Sequence, residues 1–123
     1  MLFVIYVLKR LFKRDYEQKV IYFETRLIKK FPKNNEILSP DHINSAVTFL
    51  DFQSNGVIYL FRREEVIKVL IHELIHSNLI DENIIFSKKN DAFNRLFCVN
   101  YKVLLNEAVT ETLACIINIF IIN

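Results

Sequence analysis

The segment KVLIHELIHSNLI, Lys68 to Ile80, places two histidines and a glutamate inside an apolar run. Burying such groups is costly unless partners satisfy them. His72-Glu73-Leu74-Ile75-His76 reads HExxH. On a helix, residues four apart lie one turn above each other, so both imidazoles can reach one ion with Glu73 beside them. Neutral imidazole nitrogens bind zinc well, and a catalytic zinc site keeps one position open to water. Glu73 is placed to take a proton from that water rather than to act as a ligand. Taken alone, the motif leaves a second possibility open, two helix histidines satisfied by backbone or carboxylate partners.

A zinc site needs a third protein ligand. NEAVTET begins at Asn106, thirty residues after His76, on a predicted helix. Glu107 and Glu111 are again four apart and share a face with Ala114 and Asn118, while Val109, Leu113, Ile116 and Phe120 occupy the other faces. An apolar helix that aims two carboxylates at one place needs cations there. The competing reading is a solvated acidic stripe on a surface helix.

HELIH followed by NEAVTE resembles the motif pair of the gluzincins, the thermolysin-like zinc metallopeptidases, in which HExxH on one helix is followed by N-E-x-x-[ST]-[DE] or a similar motif on a later one. The resemblance covers about residues 46–120. It implies one Zn²⁺ held by His72, His76 and Glu107, Glu73 as general base, and Glu111 as a hydrogen-bond partner that orients a ligand histidine. It also implies an edge strand just before the HExxH helix, the place of VIYLFR, to which a peptide substrate adds as a further strand. Thermolysin-like enzymes are larger and build much of their cleft from a second subdomain, so this chain matches a minimal catalytic core. They also use a Tyr or His to stabilise the oxyanion; Tyr101 is the candidate here, with Tyr59 and Arg95 as alternatives. A metzincin-type third histidine is excluded, because position 79 is Leu and no histidine follows His76. His42 reads as an exposed loop residue.

The elements that must position these groups follow from periodicity. SAVTFLDF and VIYLFR flank QSNG, and both are rich in β-branched and aromatic residues. They predict an antiparallel hairpin of about 46–52 with 57–62, turned by positive φ angles at Asn55-Gly56. The motif helix spans about 64–79, a short helix lies near 91–97, and the last helix runs from about 101 to 120. Tyr16, Val20, Phe23, Leu27 and Phe31 recur at helical spacing after a capping box at Asp15 and Gln18, which predicts an amphipathic helix over 15–31 ended by Pro32. Residues 32–44 read as a loop with a short turn starting at Ser39-Pro40, and residues 2–8 as a buried strand or the first turns of a helix. The expected fold is α+β, a single domain over 1–123 in which a small antiparallel sheet packs on a central HExxH helix with further helices, a zincin-like arrangement.

The bulk properties are compatible with this. A chain of 123 residues that is 52% apolar, with one glycine and two prolines, builds one ordinary core and is not disordered. A net charge of +2 does not argue for nucleic acid, and the cluster Lys9, Arg10, Lys13, Arg14 reads as a solvated helix face. Cys98 and Cys115 lack zinc-ligand spacing and read as core fillers, which favours a reducing, intracellular (cytoplasmic) setting. The N-terminal MLFVIYVL falls short of the roughly 20 apolar residues a spanning helix needs, and no signal peptide is visible. The C-terminal LACIINIFIIN continues a segment that carries Glu107 and Glu111, a poor membrane span, but a surface on which a partner or an oligomer could pack. The expected function is zinc-dependent hydrolysis of a peptide or protein substrate. Two alternatives stand beside it: a zinc-binding, zincin-like protein without peptidase activity, and a helical protein-interaction module with an accidental HExxH.

Overall fold

The computed structural model describes residues 1–12, 18–37, 39–50, 56–81, 93–98 and 105–122, leaving aside the side chains of Phe12 and Asp41. The architecture is α+β. Helix α1 (Leu2–Phe12) is followed by strand β1 (Lys19–Tyr22), a short helical turn α2 (Pro40–Ile43), strands β2 (Ala46–Leu50) and β3 (Gly56–Leu60), the motif helix α3 (Val66–Ser77) and the last long helix α4 (Leu105–Ile122). A further helical turn covers 93–96.

The sheet is mixed rather than antiparallel. Its order is β1-β3-β2. β2 and β3 form the expected antiparallel hairpin, with Ala46 opposite Leu60 and Leu50 opposite Gly56. β1 joins the other side of β3 in parallel, from Lys19 opposite Val57 to Tyr22 opposite Leu60. The strand before the HExxH helix is therefore central, and β2 takes the edge position expected of VIYLFR.

β1 lies where the sequence spacing predicts the middle of a helix over 15–31. Residues 23–31 also lack helix, and the start of the expected helix, including Asp15, lies outside the described residues. Val20, Ile21 and Tyr22 suit a pleated surface, and β3 offers a row of backbone donors and acceptors that must be paired. The pairing extends past the strand, since the Phe23 amide donates to the Leu60 carbonyl at 2.8 Å. Leu27 and Phe31, which a helix would bury, are 55% and 97% exposed.

Alternation along β3 divides the two sides of the sheet. Gly56, Ile58 and Leu60 are buried and face α3, where they meet Leu70, Ile71, Leu74 and Ile75 in the core. On the opposite side Tyr59 stacks on Phe23, with ring centroids 6.1 Å apart, and meets Phe49 edge-on at 5.8 Å. Val4 and Leu8, one turn apart on α1, close the same core. α4 contributes Thr110 and Ala114, both fully buried, and these small side chains let it lie close against α3. By length and composition alone, α4 is long and apolar enough to cross a membrane.

Three further expectations are corrected. Gly56 has no positive φ and belongs to β3; what it supplies is space. A Cβ there would lie 2.9 Å from Gln18 Nε2 and 3.0 Å from the Ser77 Cβ. Cys98 and Cys115 are exposed free thiols and not core fillers; Cys115 lies one turn beyond Glu111, with its Sγ 3.8 Å from Glu111 Oε1, on a face turned from the core. His42 sits on α2 with its side chain only 11% exposed, because its Nδ1 accepts from the Ser39 amide at 3.0 Å.

Gln18 cannot swing away from a new side chain at position 56 without loss. Its Nε2 donates to the Gly56 carbonyl at 2.6 Å, and its Oε1 accepts from Ser77 Oγ at 2.8 Å. Gly56→Ala lowers the unfolding free energy by about 1–3 kcal/mol, the usual cost of overpacking, as measured by urea denaturation.

Candidate metal centre

α3 turns His72 and His76 to one side of the helix, while Leu70, Ile71, Leu74 and Ile75 enter the core. α4, held close by Thr110 and Ala114, brings Glu107 and Glu111 to that same side. Ligand atoms of His72, His76 and Glu107 all lie within 4.8 Å of one another. The two Nε2 atoms are 3.0 Å apart, and each is 3.5 Å from Glu107 Oε2. Neighbouring ligand atoms around a tetrahedral zinc with bonds of 2.0–2.1 Å lie about 3.3 Å apart, so the three separations match the edges of such a site.

The proton positions sharpen the case. His72 Nδ1 lies 3.0 Å from Glu111 Oε2, and His76 Nδ1 lies 2.9 Å from Asp81 Oδ2. An ionised carboxylate only accepts, which assigns the proton to the Nδ1 facing it, and the Nε2 of a neutral ring so paired is a lone pair. Two such lone pairs and a carboxylate oxygen face each other. A proton on one Nε2 would turn the 3.0 Å approach of the rings into a hydrogen bond; a metal cation would satisfy both nitrogens and the carboxylate together. The donor set, two imidazole nitrogens and one carboxylate with both rings oriented by carboxylates, fits zinc.

Glu111 has two partners. Its Oε2 accepts from His72, and its Oε1 accepts from Lys68 Nζ at 2.6 Å. Burial pushes the Glu111 carboxyl up, but the hydrogen bond and charge of Lys68, with His72, outweigh it and hold the group below its ordinary value of 4.5. Burial likewise pulls Lys68 down, and Glu111, with Glu65, more than reverses it, so the ammonium pKa is raised from its ordinary value. The pair is ionised at neutral pH, which keeps Glu111 an acceptor for His72.

Glu73 is buried, and its Oε2 accepts from Thr48 Oγ1 of β2 at 2.6 Å. It lines a cavity of about 290 Å³ together with His72, Glu107, Glu111, Lys68 and the start of β2 at Ser45 and Ala46. The alternatives for an oxyanion donor are not brought here. Tyr59 is on the far side of the sheet, and Arg95 is exposed on the 93–96 turn. Tyr101 lies outside the described residues.

Sequence reasoning missed three residues of this arrangement. Lys68 was findable, because it precedes His72 by four and continues the stripe of His72 and His76. Thr48 depends on strand register. Asp81 depends on a backbone reversal at the end of α3, where Leu79 adopts φ 53°. The left-handed conformation costs an L-residue about 1–2 kcal/mol. Here the Leu79 amide donates to the His76 carbonyl at 2.9 Å, and the chain returns to put the buried Asp81 carboxylate on the His76 ring.

Comparison of the chain with protein-family models, with curated proteins and with solved structures finds no match in any of the three.

Asp81→Asn can keep the size of the side chain while weakening the acceptor that fixes the His76 tautomer. Zinc affinity, measured by competition with a chromogenic chelator, falls about 10–100-fold, with far-UV circular dichroism unchanged.

Proposed function

We propose that this chain is a zinc-dependent metallopeptidase of gluzincin type, a minimal zincin-like domain. The observation that carries the proposal is the convergence of His72, His76 and Glu107 within 4.8 Å, with both histidines oriented by carboxylates. Zinc bound there would supply a Lewis acid that lowers the pKa of water toward neutrality and polarises the scissile carbonyl.

The rest of the chemistry belongs to the chain. Glu73, beside this cluster and steadied by Thr48, takes the proton of the attacking water and delivers it to the leaving amine. Asp81 and Glu111 keep both imidazoles in the tautomer that presents Nε2 to the cluster. The oxyanion donor that the sequence nominates is Tyr101. The extended substrate lies along the outer edge of β2, which among the described residues pairs only with β3 and starts at the cavity. Main-chain hydrogen bonds to that edge provide affinity that is largely independent of side chains.

A second reading, metal binding without hydrolysis, is favoured by one observation. Among the described residues that line the cavity there is no Tyr or Arg, and Lys68 is engaged by Glu111.

Purified protein carries about one zinc per chain, lost in His72→Ala and in Glu107→Ala; metal-free protein at neutral pH ends both readings. Glu73→Gln retains the zinc and lowers cleavage of a mixed-peptide pool about 10²–10⁴-fold. Bound zinc with no cleavage by the wild-type protein decides for the second reading. Full activity in Glu73→Gln removes that glutamate from the base role.

A further inference from the structure

α1 has two unlike faces. Val4 and Leu8 are buried in the core. Leu2, Phe3 and Tyr6 are 83%, 66% and 57% exposed, and at 100° per residue they share an arc with Lys9 and Arg10. The Arg10 guanidinium lies 5.5 Å from the centre of the Tyr6 ring, so the aromatic and basic groups adjoin. The sequence goes on to Lys13 and Arg14, and no acidic residue occurs from position 1 to 14. The helix is thus an apolar tip with a basic collar.

That pattern selects its occupant. A second copy of the helix would cover the apolar tip but bring the two basic collars together, at an electrostatic cost. An anionic bilayer matches both parts, with a layer of negative headgroups lying over hydrocarbon. Aromatic side chains with a polar tip, such as Tyr6, suit the boundary between those layers.

We propose that α1 binds the surface of anionic lipid bilayers. Leu2, Phe3 and Tyr6 enter the boundary between headgroups and acyl chains. Lys9 and Arg10 meet lipid phosphate and carboxylate groups. The helix lies on the bilayer and does not cross it; eleven residues, Leu2–Phe12, span too little of a core about 30 Å thick. This inference goes beyond the peptidase reading and stands without it.

The test is flotation of the full chain with vesicles of phosphatidylcholine alone and with about 30% phosphatidylserine. The wild-type protein floats with the anionic vesicles, weakly or not at all with neutral ones, and less as salt rises. Each basic residue near an anionic surface contributes about fivefold in affinity, so Lys9→Gln/Arg10→Gln weakens binding about 25-fold. Leu2→Ser/Phe3→Ser abolishes flotation while circular dichroism stays that of the wild type, as expected for exposed positions. No flotation overturns the proposal, as does equal binding to neutral vesicles or retained binding in either double variant. Concentration-dependent dimers in sedimentation velocity that Leu2→Ser/Phe3→Ser disrupts, without lipid binding, also overturn it and assign the face to a second copy.

Discussion

The close approach of α4 to α3 is the constraint from which the site follows. Thr110 and Ala114, four residues apart, are fully buried and form a narrow strip along α4. Helices separated by small side chains pack at the near end of the usual 8–10 Å range. Glu107 and Glu111 flank that strip, so the same contact that buries Ala114 delivers one carboxylate to the paired Nε2 atoms and another to the His72 Nδ1. A glutamate side chain is long enough to span only such a gap. The helical period places the two acids one turn apart, matching the one-turn separation of the histidines on α3.

The site also carries an excess of negative charge. Three carboxylates, Asp81, Glu107 and Glu111, lie against the two rings, Glu73 lines the same cavity, and one ammonium, Lys68, joins them. Counting −4 and +1 leaves −3, which a divalent cation would reduce to −1. Lys29 also lines the cavity, but its Nζ lies 3.0 Å from Glu65, whose carboxyl that contact holds below its ordinary value. A purely structural histidine pair would need one acidic partner for each ring; a third carboxylate on the outward nitrogens has no role in it.

How much of this was legible in the sequence depended on the range of each determinant. HExxH and the acids of α4 were readable because helical spacing alone fixes which residues share a face. The hairpin was readable because β-branched and aromatic runs flank a turn sequence. Over 18–31 the helical spacing misleads because Val20 and Phe23 fit a helical stripe and also fit a strand, and the partner that decides between them, β3, is more than thirty residues away. That one distant pairing also made the sheet mixed and moved VIYLFR from the edge to the centre. Gly56 was recognised as special for the wrong reason: its neighbours Gln18 and Ser77 are remote in sequence. Asp81 had no local signal, because a leucine takes a backbone conformation more often given to glycine or asparagine.

The supports of the two histidines differ in burial, and the difference gives the site a direction. The Asp81 side chain is 4% exposed, whereas Glu111, and Glu107 beside it on α4, are about half-exposed. Water competes little for the first and freely for the second. His76 is therefore the fixed half of the cluster, its ring held by a buried acceptor, while the acceptor at His72 lies on α4 and meets solvent. The α4 side, with Glu107 and Glu111, is the adjustable half, open to solvent. A purely structural zinc site is closed by four protein ligands. Among the described residues the cluster has three ligand groups, beside a cavity that Glu73 also lines.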